Sequence, residues 1–264
     1  MNYPHTYIHP KAKIAENVQI DPFTVIHENV EIGEGTWIGS NVTIMSGARI
    51  GKNCRIFPGA VISAIPQDLK FHEEESTVEI GDNTTIREFV TIHRGTEDRR
   101  TTQVGNNCLI MAYSHIAHDC MVGNNCILSN SSQLAGHVLV DDWAIIAGMA
   151  GVQQFTRIGI HAYVGGGCLV NKDIPPYIKV IRTPITYGGI NSIGLKRRGF
   201  TLAKVNEIID IYRVIYSDGL NTTQALEKIE KKFPAGKEKD EIVTFIKESK
   251  IGIVRGSNKD IEEE

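Results

Sequence analysis

The stretch "VGNNCLIMAYSHIAHDCMVGNNCILSNSSQLAGHV", Val104 to Val138, carries an aliphatic residue at every sixth position: Val104, Ile110, Ile116, Val122, Leu128 and Leu134. No helix has that period, because helical amphipathicity spaces apolar residues three or four apart, and a half-buried strand alternates every two. Six is the length of a short strand plus a turn. Outward from this stretch the register runs back through Ile92, Ile86 and Ile80 and, beyond a pause, from Ile62 down to Ile8. It runs forward through Val140, Ile146, Val152, Ile158, Val164 and Val170. Gly, Asn or Asp follows the aliphatic residue in "IGEGTW", "IGKNCR", "IGDNTT", "VGNNCL" and "VGNNCI", as expected where a tight corner needs positive φ. The pattern predicts a mainly β chain, a parallel β-helix of hexapeptide repeats with three hexads to a triangular coil of eighteen residues. The period sets three faces but not the hand, and the general crossover rule alone favours right-handed connections.

The bounds agree with one large domain and a small appendage, since 264 residues with 41% hydrophobic content can bury a substantial core. A formal net charge of −3 excludes electrostatic binding of nucleic acid by the chain as a whole. The start "MNYPHTYIHP" lacks a basic segment followed by an apolar run, and no membrane-length apolar stretch occurs, so a soluble cytoplasmic protein is expected. Cys54, Cys108, Cys120, Cys126 and Cys168 all fall four residues after a hexad aliphatic, a slot filled elsewhere by Val18, Val42, Ala48, Thr84 and Ala150. That slot calls for something small and buried, so neither a disulfide framework nor a redox role is expected.

Two interruptions break the repeat, "SAIPQDLKFHEEEST" at 63–77 and "HRGTEDRRTTQ" at 93–103. Loops on a rigid scaffold are where binding chemistry concentrates. After Lys172 the repeat ends at "DIPPY", where consecutive prolines remove strand donors. Apolar spacing then becomes helical, with Asn221 a predicted N-cap and Gln224 its capping-box partner. The expected division is a β-helix over 1–190 and a helical region over 191–264, ending in a frayed tail, "NKDIEEE".

Residues eighteen apart share a slot on neighbouring coils, so the repeat itself assembles a cluster. Gly136 falls beside His118 and Gln154 one coil further, while His137 falls beside Asp119 and His115 lies just before the corner. Histidines on the outer slots of a β-helix are ordinarily solvated, and that reading is kept for His27, His72 and His161. Three histidines and a carboxylate gathered round a glycine exceed what a solvated face needs. Two chemistries remain open: a base with its orienting carboxylate, or three imidazoles holding zinc with a fourth position for water, as in hexapeptide-repeat carbonic anhydrases.

The motifs "QDLK", "TIHRGT", "HIAHDC", "LAGHV", "DIPPY" and "GLKRRGF", in this order on a hexad scaffold with a helical C-terminus, resemble the UDP-N-acetylglucosamine acyltransferases of lipid A biosynthesis. The resemblance covers nearly the whole chain. It implies a left-handed β-helix and transfer of a 3-hydroxyacyl chain from acyl carrier protein to the 3-hydroxyl of UDP-N-acetylglucosamine. It also implies a homotrimer with active sites at subunit boundaries, and no metal or other cofactor beyond the carrier's phosphopantetheine. His118 would be the general base, Asp119 its orienting partner and the Gly136 N–H an oxyanion donor. Asp68, Lys70, His93, His115, His137 and Gln154 match positions that contact the sugar nucleotide or shape its pocket, and Asn191, Arg197 and Arg198 match those near the uridine and diphosphate. Gly166, with Gly148 stacked one coil away, would leave the acyl groove open for a long chain.

The sequence departs from the family pattern at Gln153, where a histidine is common, and at Ile193, where a carboxylate is common. Those changes bear on substrate contacts rather than on His118. The later N-acyltransferase of the same pathway shares the scaffold but carries a uridine-binding domain before the helix. Hexads here begin at Ile8, leaving no room for one.

Overall fold

A computed structural model describes residues 3–181 and 183–256; the tail "NKDIEEE" lies outside them. Two-residue strands build three parallel sheets. The first runs from Tyr7–Ile8 to Leu169–Val170, the second from Lys13–Ile14 to Arg157–Ile158, and the third from Gln19–Ile20 to Thr186–Ile190. Each coil visits them in turn. His115 pairs with Gln133 and Gln133 with Gly151, each eighteen residues on. Across the interruptions the step lengthens: Val61 pairs with Thr91 and Thr91 with His115. Both inserted segments therefore leave a strand of the first sheet, Val61–Ala64 or Thr91–His93, and enter a strand of the second, Thr77–Ile80 or Thr101–Val104, so they project from the corner between those sheets without disturbing the stack.

The aliphatic register is the core. Ile26, Ile38, Ile44, Ile56, Ile62, Ile86, Ile92, Ile110 and Ile116 are all 0% exposed, each contributing roughly 1.5–3 kcal/mol by leaving water. The five cysteines are buried. Four of their thiols meet carbonyl oxygens of the neighbouring coil at 3.1–3.2 Å. Thr24, Thr36, Thr84 and Ser114 fill the same slot and donate to the equivalent carbonyls at 2.7–2.9 Å. The slot thus selects for small buried residues, apolar ones such as Val42 and Ala48 included, and where a polar one stands there it donates to the next coil.

Corner geometry differs from the sequence expectation. The glycine directly after the aliphatic residue does not take positive φ; the residue two positions after that glycine does, as at Gly35, Asn53, Asn83, Asn107 and Asn125. Gly33, Gly51, Gly81, Gly105 and Gly123 are required for another reason: a Cβ there would come within 2.6–2.8 Å of the next coil's backbone. The prolines of "DIPPY" also do less than expected. They end the first two sheets, but the third gains the parallel strand Ile178–Ile181 and then the antiparallel Thr186–Ile190.

Among the described residues four helices follow: α1 (Ser192–Arg197), α2 (Leu202–Tyr216), α3 (Thr222–Lys232) and α4 (Lys237–Lys247). Gly199, at φ 85°, separates the first two. Asn221 and Gln224 form the capping box the sequence predicts. The Tyr212 hydroxyl donates to the Pro176 carbonyl at 2.6 Å, tying α2 to the end of the β-helix. No helix among the described residues is long and apolar enough to cross a membrane.

Candidate active site

His118, Gly136 and Gln154 occupy one slot on successive coils, at the corner between the first and second sheets. The stack is close: the His137 N–H donates to the His118 carbonyl at 3.0 Å, and the Phe155 N–H to that of Gly136 at 3.2 Å. A Cβ on Gly136 would lie 2.6 Å from His118 Cε1 and 2.7 Å from Nε2. The imidazole therefore rests directly on the glycine backbone.

Asp119 holds the other edge of that ring. Its carboxylate is fully buried and accepts from His118 Nδ1 at 2.8 Å, from the Thr96 hydroxyl at 2.6 Å, and from the Thr96 and Arg99 backbone N–H groups at 3.0–3.2 Å. Burial alone would raise its pKa. The bonds from Thr96 and His118 outweigh burial and hold it below the usual carboxylate range. With an ionised acceptor at Nδ1, the tautomer is set: Nδ1 donates and the Nε2 lone pair is free. The 93–103 loop thus supplies the bonds that fix the carboxylate.

Around this pair the imidazoles are kept neutral. His137 stands edge-on to His118 with centroids 5.1 Å apart and stacks on Phe155 at 4.5 Å. Its Nε2 is 3.8 Å from Asp119, and Asp98 lies 3.2 Å from its Nδ1, outside hydrogen-bond geometry. Burial lowers its pKa despite Asp119. His93 is buried, edge-on to His115 at 4.7 Å, and pushed down to about 4 by burial and the adjoining His115 and His118. His115 bonds the Thr91 hydroxyl at 2.7 Å and is likewise lowered by burial. Asp68, from the 63–77 loop, places a carboxylate oxygen 4.0 Å from His118 Nε2, while Lys70 and Gln154 are exposed.

Not every candidate joins this group within one chain. Asn191, Arg197 and Arg198 lie at the corner between the second and third sheets. There Asn191 caps α1, and its Nδ2 donates to the His161 carbonyl at 3.0 Å, while Arg197 is exposed. Gly148 and Gly166 stack at the third corner, where a Cβ on either would meet only the preceding coil's carbonyl, at 3.2 and 3.3 Å.

Residues 173–254 match the family described as "Udp N-acetylglucosamine O-acyltransferase; Domain 2", and 29–64 and 101–136 match "Bacterial transferase hexapeptide (six repeats)". An acyl-[acyl-carrier-protein]–UDP-N-acetylglucosamine O-acyltransferase of Burkholderia mallei (strain SAVP1) is 40% identical over 195 residues, covering 72% of this chain and 74% of its own length. The chain belongs to the UDP-N-acetylglucosamine O-acyltransferase family. The solved UDP-N-acetylglucosamine acyltransferase from Bacteroides fragilis 9343 superposes with a TM-score of 0.95 at 53% identity, covering 97% of this chain and all of that one. The Francisella novicida enzyme gives 0.95 at 45% identity, with 98% and 95% covered. Like these acyltransferases the β-helix is left-handed, so the family geometry prevails over the general crossover rule.

Within this acyltransferase the metal reading fits poorly. Among the described residues the group able to converge on one ion is His118, Asp119 and His137, not the three histidines expected, because His115 stands apart. Two of those donors are already directed at the third, and the Asp119 oxygens are occupied by Thr96 and Arg99. Sequence reasoning missed Thr96, Arg99 and Phe155 at the site, and it misplaced His161. That residue is only 7% exposed, packed among Trp143, Tyr177 and Phe200. Thr96 was visible within "TIHRGT"; the Arg99 contribution is a backbone N–H and leaves no side-chain signal. The departures Gln153 and Ile193 are both exposed.

Proposed function

We propose that this acyltransferase moves a 3-hydroxyacyl chain from the phosphopantetheine thioester of acyl carrier protein to the 3-hydroxyl of UDP-N-acetylglucosamine, the first step of lipid A biosynthesis, in the cytoplasm. The observation that carries the reading is His118 on Gly136, with Nδ1 spent on a buried carboxylate and Nε2 open. Nε2 takes the proton of the sugar hydroxyl as its oxygen attacks the thioester carbonyl. A C–O bond forms, negative charge gathers on the former carbonyl oxygen, and the Gly136 N–H, which donates to nothing else among the described residues, stabilises it. Collapse breaks the C–S bond, and His118 returns its proton to the departing thiolate. Transfer is direct, without a covalent enzyme intermediate or a metal.

The remaining assignments follow from placement. Asp68 faces Nε2 and suits a sugar hydroxyl, with Lys70 on the same loop. His93, His115 and His137, neutral and packed, shape the sugar pocket beside Gln154. Arg197 and Arg198 take the diphosphate near uridine, with Asn191 ordering the helix that carries them, and Gly148 and Gly166 leave room for a long acyl chain. Because these groups sit at three different corners of one coil stack, a complete site needs a second copy, which supports the homotrimer.

Acyl transfer from 3-hydroxyacyl carrier proteins to UDP-N-acetylglucosamine, run in chelator with the parent and His118→Ala, tests the reading. The parent should remain active and the variant should lose about 10²- to 10⁴-fold with its fold intact. Activity that disappears with chelator, or a variant that keeps it, refutes the metal-free base.

A further inference from the structure

Arg198 has an unusual environment for a cation. Its guanidinium lies over the Trp143 ring at 5.1 Å, and Nη1 donates to His161 Nδ1 at 3.0 Å. None of the ion pairs among the described residues includes it, and burial lowers its pKa. A half-buried guanidinium resting on a neutral acceptor and an aromatic face keeps its charge for a ligand. A carboxylate partner would cancel that charge.

His161 is built to be that acceptor. It is stacked between Trp143 (6.1 Å, 16°) and Tyr177 (5.6 Å, 19°), with Phe200 edge-on at 5.2 Å. Its carbonyl is gripped by Asn191. Burial first, then the neighbouring Arg198 and Lys237, opposed only by Asp142, push its pKa to about 4. A ring that stays neutral retains an Nδ1 lone pair, and the fork of an arginine then has one N–H spent and four to offer.

We infer that His161 is a positioning residue, holding the Arg198 guanidinium in the orientation in which it receives the phosphate groups of the nucleotide sugar. This rests on the reading of Arg198 as a diphosphate contact. His161 touches no substrate itself.

The backbone permits a clean test. His161 has φ 58°, and the equivalent slot accepts Phe at Phe23, Phe89 and Phe155 and Asn at Asn53, Asn107 and Asn125. His161→Phe keeps the stacked ring and removes the acceptor. His161→Asn removes the ring but places Oδ1 where Nδ1 was. At saturating acyl carrier protein, His161→Phe should raise the KM for UDP-N-acetylglucosamine about three- to tenfold with kcat unchanged, the loss of about one hydrogen bond. His161→Asn should recover most of that loss. Arg198→Ala should raise the same KM by about 10- to 100-fold, and His161→Phe should add nothing in that background. His161→Gln, which moves the acceptor by one methylene, gives the same readout should the phenylalanine variant not fold.

A normal KM in His161→Phe with a damaged one in His161→Asn would show that the ring's packing matters and overturn the inference. So would an effect of His161→Phe that adds to Arg198→Ala. If Arg198→Ala itself leaves KM unchanged, the diphosphate reading fails, and the positioning role fails with it.

Discussion

Gly136→Ala is the smallest change that separates chemistry from folding in this molecule. Gly136 does not have positive φ, so alanine meets no backbone strain, and the loss of unfolded-state freedom offsets roughly 0.4–1 kcal/mol of what the added methyl costs in packing. The new methyl would stand 2.6 Å from His118 Cε1, whereas ordinary van der Waals contact begins at 3.4 Å, so the ring must retreat by about 0.8 Å. It cannot retreat freely. Its Nδ1 is tied to Asp119 at 2.8 Å, and His137 closes the side at 5.1 Å. A displacement of about 1 Å at a reacting group can cost about 10²-fold in rate, here with further loss because the methyl also crowds the proposed oxyanion donor. The expected result is a fall in kcat of about 10²-fold or more, with a melting temperature only a few degrees below the parent's, because the crowding falls on one side chain and leaves the coil backbone in place. Activity within about threefold of the parent would refute the stacked-ring mechanism. A matching loss of melting temperature would show that the methyl disturbs the coil instead of the catalytic ring.

Three other perturbations test different links. Asp119→Asn replaces an acceptor by a donor facing the Thr96 and Arg99 N–H groups; urea unfolding should show a loss of about 2–4 kcal/mol, and kcat should fall about 10²- to 10⁴-fold, so parental stability would show that the loop does not depend on the carboxylate. Gly105→Ala should cost about 2 kcal/mol or more through overpacking, because its Cβ would meet the Gly123 carbonyl at 2.6 Å; an unchanged melt would refute the close-approach account of these corner glycines. His93 and His161 are both depressed to about 4 from 6.5, so the unfolded chain takes up protons first. Their stabilising contribution is complete above pH about 6.5 and is lost as pH falls toward about 4, by about 2 kcal/mol each after allowing for partial solvent screening. Urea midpoints compared at pH about 7 and 5, above the carboxylate range, should fall, and fall less in His93→Gln; a flat profile would show that these imidazoles are not kept neutral.

The hexad register was legible because each two-residue strand buries one side chain, and an interior lined by Ile26, Ile44, Ile62, Ile92 and Ile116 at 0% exposure accepts little else. Stacking followed from arithmetic alone, and the register of His115 on Gln133 agrees with it. What the spacing could not give was the reason for each glycine. A glycine forced by φ and one forced by a coil lying 2.6 Å away look alike in sequence; only the backbone tells Gly35 from Gly105. His161 was misread for a related reason. Its slot is exposed on the coils of Phe155 and Met149, and it is buried where Tyr177 stacks on it and Phe200 and Arg198 return from the helical region nearly forty residues later.

Glycine two residues after the hexad aliphatic serves two purposes at two corners, and the contrast bears on how the site divides its labour. At Gly136 the space a Cβ would fill is already taken by the His118 ring. At Gly148 and Gly166 the nearest atoms are single carbonyl oxygens at 3.2 and 3.3 Å, and no side chain lies over them. The first glycine therefore seats a protein group at fixed distance from an open N–H, a preorganised arrangement whose value depends on rigidity. The other two leave backbone uncovered by side chains, the opening that the proposed acyl groove requires and that a larger residue would fill. The proposed acyl transfer calls for both: one position where nothing may shift, and one where the length of a flexible substrate is accommodated by empty space. The repeat supplies them with a single residue type, because a slot eighteen residues on is always one strand spacing away, and what covers the glycine there decides whether it orients a ring or admits a ligand.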